Sequence, residues 1–202
     1  MRKVYILLVF LFLNNFNYCF SQEPPVGFIP HLAKAGDTLS KIVPKSQWKI
    51  IMQINKIDEE HLPLNKIIFI PVNMERARKF TPLPTNVCSK RSERLIYVSL
   101  ANQFFGAYEK GRLVFWGPIS SGKPKYKTPE GEFKVLWKSR KYRSKRYSQP
   151  MPYAINISAA GYFLHQQSLP GKPASRGCIR LLNSDAEKLF KWSKINDPVL
   201  IE

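Results

Sequence analysis

From Arg94 to the C-terminus the sequence is a series of short apolar and aromatic runs broken by turn residues, a pattern that directs this half of the chain into β-sheet. Residues 95–100 and 103–108 are two such runs, split by Ala101-Asn102. Glu109-Lys110-Gly111-Arg112 is a hairpin turn signal, and residues 113–119 form the return strand. Further strands are expected at 132–137, 151–157, 161–165 and 197–201. Residues 184–192 differ: a capping Ser and acids at the front and a basic end mark one short helix. Thirteen Phe and nine Tyr, with sixteen Pro against ten Gly, lean toward strands and turns as well.

Residues 30–72 follow another pattern. His31-Leu32-Ala33-Lys34 is a short strand-like run that meets the turn Gly36-Asp37. Asp37 or Thr38 can cap a helix with Leu39, Ile42 and Val43 on one face. Beyond Pro44, Trp48, Ile51, Met52 and Ile54 fall at helical spacing, and Asn55 is placed to end that helix. Ile67-Ile68-Phe69-Ile70-Pro71 closes the segment as a strand ended by proline. Residues 73–93 hold Thr81-Pro82-Leu83-Pro84-Thr85 and the polar Lys90-Arg91-Ser92-Glu93, and read as a linker. A length of 202 residues with 44% hydrophobic content suffices for one ordinary domain, over 94–202, and a smaller βααβ one, over 30–72.

The formal charge of +18 attracts polyanions, either nucleic acid or an anionic envelope surface. The first residues arbitrate. Met1-Arg2-Lys3 is a basic start, and residues 4–13 are an apolar run too short to span a bilayer and of the right length for a secretory signal. Phe20 is flanked by the small residues Cys19 and Ser21, so residues 1–21 are expected to be a signal peptide cleaved before Gln22. A lipid anchor on Cys19 competes, although Tyr18 is bulky where a lipobox carries Gly or Ala, and retention as an uncleaved anchor is a third outcome. Export to the periplasm or cell envelope, with no membrane span after cleavage, disfavours nucleic acid as a partner. It also leaves only Cys88 and Cys178, which form no disulfide framework. Cys88 lies in the linker and reads as incidental. His31, His61 and His165 are far apart and unaccompanied by cysteines at short intervals, so no metal site is expected, and no glycine-rich phosphate loop points to a cofactor. Residues 138–147 carry six cations and two interleaved tyrosines. They read either as a solvated loop or as a basic wall or flap beside a site that holds an anionic substrate.

The chemistry concentrates at Ala174-Ser175-Arg176-Gly177-Cys178-Ile179-Arg180-Leu181, with His165 thirteen positions upstream. A cysteine directly after glycine fits a nucleophile on a tight turn, where backbone amides can face a developing oxyanion. His165 ends a strand-type run and can act on the thiol as base and later as acid. A buried structural cysteine near an unrelated histidine is the plain alternative.

This block resembles the catalytic signature of the YkuD-type L,D-transpeptidases: a histidine, a variable loop, then Ser/Thr-x-Gly-Cys-apolar-Arg, here His165 and Ser175 through Arg180. The similarity covers roughly residues 94–202 and includes Thr128-Pro129-Glu130-Gly131-Glu132-Phe133 and Met151-Pro152-Tyr153-Ala154-Ile155. Two positions depart from the family pattern. Arg176 stands where histidine is more common, and Gln166 where glycine is usual. The resemblance implies a mostly β sandwich with a small helix. It also implies Cys178 as nucleophile, His165 as base, Gly177 and Ser175 at the oxyanion turn, and Arg180, Arg176 and Tyr153 toward substrate. Residues 30–72 resemble a LysM module on the letters Gly36-Asp37-Thr38-Leu39, Ile54-Asn55 and Phe69-Ile70-Pro71, with Asn65 where a glycine is common. That resemblance implies glycan binding near Gly36, Asp37 and Thr38; a helical hairpin that packs on the catalytic domain and binds nothing is the alternative.

The expected activity is peptidoglycan cross-linking, in which a tetrapeptide stem loses its terminal D-alanine to Cys178 and the acyl group passes to an amine of a neighbouring stem. Water as acceptor gives a carboxypeptidase, and other acyl chemistry an amidase or ligase. A non-catalytic peptidoglycan-binding protein is the rival of a different class, and a nucleic-acid binder is supported by charge alone. Oligomeric state is not legible.

Overall fold

The computed structural model describes residues 24–87 and 93–202. The expected signal segment and Cys88 lie outside the described residues. Strand β1 (Phe28–Ala33) pairs antiparallel with β2 (Lys66–Pro71), from Phe28 opposite Pro71 to Ala33 opposite Lys66. Between them run α1 (Leu39–Ile42) and α2 (Trp48–Asn55), so the expected strand, helix, helix, strand order is present. Leu39, Val43, Ile51 and Ile57 form the core of this module, with Leu39 contributed by α1, Ile51 by α2, and Val43 and Ile57 by the turns that follow these helices. The left-handed residue that ends α2 is Lys56, at φ 59°, rather than Asn55. Asn55 has another task. Its amide donates to Phe69 O at 2.8 Å and accepts from Phe69 N at 2.7 Å, which ties the helix to β2.

Residues 73–87 of the segment read as a linker are folded. They contain α3 (Met74–Lys79), capped by Asn73, whose side chain accepts from Arg76 N at 2.9 Å. Only Ala77 of that helix is buried, so no apolar stripe announces it in the sequence. The prolines that suggested a spacer instead lie against the larger domain. Leu83 is buried, and Pro84 O accepts from Tyr108 Oη at 2.9 Å. Val87 N donates to Gly111 O at 2.8 Å.

The larger domain consists of β3 (Arg94–Ser99), β4 (Phe104–Glu109), β5 (Arg112–Ser120), β6 (Gly131–Lys134), β7 (Trp137–Arg143), β8 (Pro150–Asn156), β9 (Phe163–Gln166), β10 (Ile179–Leu181) and β11 (Pro198–Ile201), with α4 (Asn183–Trp192) before the last strand. They form one nine-stranded sheet in the order β6-β11-β3-β4-β5-β10-β9-β8-β7. The expected sandwich is therefore realised as a single continuous sheet, joined across its middle by β5 and β10. Its two ends share one core, in which Ile96 and Phe105 from one end pack with Ile155 and Leu164 from the other and with Leu189 of α4. Such sharing requires the sheet to curl, as a twisted sheet this wide must to bury its inner face. β10 escaped the sequence reading because three residues are too few to show alternation. β7 escaped because its cations resemble a loop. Lys138 on that strand reaches Phe190 O, at 2.7 Å, and Ser193 O, at the carbonyl end of α4.

The two modules are packed together. Phe80 lies edge-on between Phe28 (5.9 Å) and Trp116 (6.3 Å), and Lys56 Nζ sits 4.9 Å over the ring of Phe104. Among the described residues, no helix is long and apolar enough to cross a membrane.

Candidate active site

β9 and β10 run parallel in a register that sets Arg180 beside His165 and Ile179 beside Leu164. Cys178 immediately precedes β10, so the sheet delivers thiol, imidazole and guanidinium to one place. The turn in front of Cys178 demands glycine. Gly177 has φ +112°, and a Cβ there would lie 2.8 Å from Tyr162 Cε1. Ser175, almost fully buried, braces the turn from inside: its hydroxyl accepts from Gly177 N at 3.0 Å and donates to Cys178 O at 2.5 Å. Thr128 holds the same turn from the other side, accepting from Gly122 N at 2.9 Å and donating to Gly177 O at 3.0 Å.

His165 is 6% exposed. Its Nδ1 lies 2.8 Å from Gln166 O, and because a carbonyl only accepts, Nδ1 carries the proton and Nε2 is left as the basic nitrogen. Burial drives the imidazole pKa down to about 4, with Arg180 adding to the fall and the Gln166 bond opposing it. Burial likewise pushes the Cys178 thiol up, against the pull of a Phe163 backbone bond and of Arg180. At neutral pH the pair therefore rests as thiol and neutral imidazole rather than as a standing ion pair. Cys178 and His165 line one cavity of about 390 Å³ with Lys123, Arg176 and Arg180, and none of its lining residues is acidic.

A family model described as the YkuD L,D-transpeptidase catalytic domain matches residues 93–201. The chain belongs to this family. A putative L,D-transpeptidase YkuD of Bacillus licheniformis is 36% identical over 103 residues, covering 46% of this chain and 56% of that protein. A probable L,D-transpeptidase 3 of Mycobacterium tuberculosis is 32% identical over 102 residues, covering 42% of this chain and 38% of that protein. The matched stretch thus spans roughly half or less of these two relatives. A putative L,D-transpeptidase YkuD of Bacillus subtilis is 26% identical over 167 residues, covering 80% of this chain and 91% of that protein, so similarity to it reaches beyond the catalytic domain. A solved L,D-transpeptidase from Stackebrandtia nassauensis superposes with a TM-score of 0.53 at 28% identity, covering 58% of each chain.

Not every expected residue of this L,D-transpeptidase domain lies at the cavity. Arg176 and Arg180 line it, and Ser175 and Gly177 form the turn beneath it. The Gly177 N–H, expected to face an oxyanion, is instead spent on Ser175 Oγ. Tyr153 is not among the lining residues: its ring lies edge-on to Phe190, 5.9 Å away. In a regular strand Tyr153 would share a face with Met151, which does line the cavity. A left-handed φ of 53° breaks that alternation. Gly36, Asp37 and Thr38 lie in the N-terminal module, away from the cavity lining. There Asp37 accepts from Lys34 N at 2.7 Å, Lys41 Nζ donates to Gly36 O at 2.7 Å, and Thr38, though at the N-cap of α1, makes no side-chain cap bond. Of the basic stretch, Ser144 and Tyr147 border the cavity, and the Arg176 guanidinium stacks 4.7 Å from the Tyr147 ring. Thr128 and Lys123 went without a role in the sequence reading; the only signal for Thr128 was its place in the family-like segment.

Proposed function

We propose that the chain is a peptidoglycan L,D-transpeptidase that acts in the cell envelope. The observation that carries this reading is the braced Gly177-Cys178 turn sharing a cavity with an imidazole whose free nitrogen is basic. His165 Nε2 takes the thiol proton as the sulfur attacks the carbonyl of the L-centre residue of a tetrapeptide stem. The tetrahedral intermediate collapses by expelling D-alanine, whose amine receives the proton from His165, and a thioester on Cys178 remains. The amine of a neighbouring stem attacks the thioester, gives up a proton to His165, and the thiol is regenerated as the cross-link forms. With the Gly177 amide engaged, the oxyanion falls to other donors, of which the Cys178 amide is nearest in sequence. Lys123, Arg176 and Arg180 suit a stem peptide that carries carboxylates.

Residues 30–72 serve in this reading as a LysM-like module that binds peptidoglycan glycan near Gly36, Asp37 and Thr38. Its antiparallel strands enclosing two helices support that assignment. Residues 1–21 are proposed as the export signal, residues 73–93 as the connection, and residues 94–202 as the catalytic domain. Mass spectrometry of disaccharide-tetrapeptide after incubation with the protein tests the activity. Cross-linked dimer with free D-alanine is the expected product, D-alanine alone would make the protein a carboxypeptidase, and unchanged substrate would overturn the reading.

A further inference from the structure

Nine residues lie between His165 and Ser175; the first, Gln166, belongs to β9, and the middle of the segment is held from outside the catalytic sheet. Two carbonyls here hold site residues, one at the end of β9 and one on the loop that follows. Gln166 O accepts from His165 Nδ1 at 2.8 Å, and Ser168 O accepts from Arg180 Nη1 at 3.4 Å. The next residue, Leu169, is fully buried and is gripped by the N-terminal module. Leu169 N donates to Asp58 Oδ2 at 2.8 Å, while Asp58 N donates to Leu169 O at 3.0 Å. Two residues on, Gly171 N donates to Lys56 O at 3.0 Å, and Ile57, also fully buried, forms a β-bridge with Pro170. The far end of the loop is tied to the sheet by Ser120, whose hydroxyl donates to Lys172 O at 2.8 Å and accepts from Ala174 N at 3.1 Å.

Asp58 is itself fixed. Its other oxygen, Oδ1, accepts from Glu60 N at 3.0 Å and lies 2.6 Å from His61 Nδ1. The carboxylate therefore has one oxygen committed to its own turn and one to the loop, and a charge-assisted bond to a backbone N–H is among the stronger ones available. After Gln166, which belongs to β9, and Gln167, whose N–H donates to Leu181 O at 3.2 Å, the loop has no regular structure before the brief pairing of Pro170, so the Ser168 carbonyl depends on the grip on Leu169 for its position.

We infer that Asp58 of the N-terminal module is a positioning residue for the catalytic site, fixing through Leu169 the loop whose Ser168 carbonyl orients Arg180. The inference rests on reading Cys178 and His165 as the reacting pair. Its chemical consequence follows from Arg180, the cation beside Cys178 that favours the thiolate. If the loop slackens, Arg180 loses its tether and the thiol ionises at higher pH.

The test uses the full chain and two readouts: the pH profile of Cys178 alkylation by iodoacetamide, which needs no substrate, and turnover of disaccharide-tetrapeptide. Asp58→Ala should move the alkylation midpoint upward, slow alkylation at pH 8 about tenfold and lower kcat about 10–100-fold with a small change in KM. Asp58→Asn keeps an acceptor for Leu169 N and should restore most of both. Glu75→Ala, in an exposed pair with Lys79 on α3, should change neither. Alkylation and turnover of Asp58→Ala that match the unaltered protein would overturn the inference, as would failure of Asp58→Asn to recover in a folded protein. If Asp58→Ala does not fold, Gly171→Ala loosens the same grip from the loop side, because φ is +74° there and a Cβ would press on Ile57 Cγ2 at 3.3 Å. An unchanged alkylation profile in that variant would equally overturn it. The alkylation arm answers even if the protein turns over no tetrapeptide, which would count against the proposed function alone.

Discussion

Replacing Ser175 with alanine removes one hydroxyl and breaks both bonds that shape the nucleophile turn. Ser175 is 2% exposed, so the partners of its hydroxyl are shielded from bulk water. The Gly177 N–H, bonded at 3.0 Å, would be left buried without a partner, at a cost of about 1–3 kcal/mol. Loss of the bond to Cys178 O adds about 1 kcal/mol. The total, about 2–4 kcal/mol, corresponds to a fall in Tm of roughly 5–15 °C for a chain of this size. The catalytic loss should be larger than stability alone implies, because the same bonds place the sulfur, and a displacement of about 1 Å costs on the order of 100-fold in rate. Differential scanning fluorimetry reads the first effect. Intact-mass measurement of the thioester formed with tetrapeptide reads the second, at a temperature where the variant is folded. Ser175→Thr keeps the hydroxyl and should retain acylation that Ser175→Ala loses. A Ser175→Ala protein with unaltered Tm and acylation rate would refute the view that this hydroxyl builds the turn.

Cys178→Ala should form neither thioester nor product in the mass assay while keeping its circular-dichroism spectrum; residual turnover above a small fraction would place the nucleophile elsewhere. His165 titrates at about 4 in the folded protein against 6.5 in the unfolded chain, so the unfolded state takes up the proton first. The stability this imposes is complete above pH 6.5 and is lost as pH falls through 4, by about 3 kcal/mol at 1.36 kcal/mol per unit. Urea unfolding at pH 7 and pH 4 should show that loss, and it should shrink in His165→Gln. A chain starting at Glu93 loses the partners of Trp116, Tyr108 and Leu169. It should be less soluble and melt lower than the full chain, and an equal melting temperature would show that the N-terminal contacts stabilise nothing.

The candidate site residues were legible because they are local. Ser175, Gly177 and Cys178 stand within four positions and, with His165 upstream, match the family pattern; without that resemblance the letters left a structural cysteine near an unrelated histidine as the alternative. The orientation of Tyr153 was not legible, since a strand's alternation is readable but a single left-handed residue inside it leaves no mark when that residue is neither Gly nor Asn. The number of sheets was also hidden. It depends on which strands are neighbours, and the strand that joins the two halves, Ile179–Leu181, is too short to declare itself. Lys138 misled for a related reason. A cation in a basic run reads as solvated, yet its ammonium group closes the carbonyl end of α4, a partner far away in sequence.

The largest difference lies in how the two modules are joined. A flexible tether would make the N-terminal module a device for raising local substrate concentration, with the catalytic domain indifferent to its loss on small substrates. The two prolines of residues 81–85 read as a stiffened linker between separate modules, but proline stiffens a chain equally well when it runs along a surface. Here Leu83 is buried, Thr85 O accepts from Leu113 N at 2.9 Å, and Val87 bonds to Gly111 across a hairpin turn. A connector held at these points leaves little freedom to search. The module it carries instead contributes Asp58, Ile57 and Lys56 to the wall of the loop between His165 and Ser175. The dependence on this module should therefore appear on soluble tetrapeptide as well as on polymeric sacculi, since a positioning contact acts on every turnover whatever the length of the glycan.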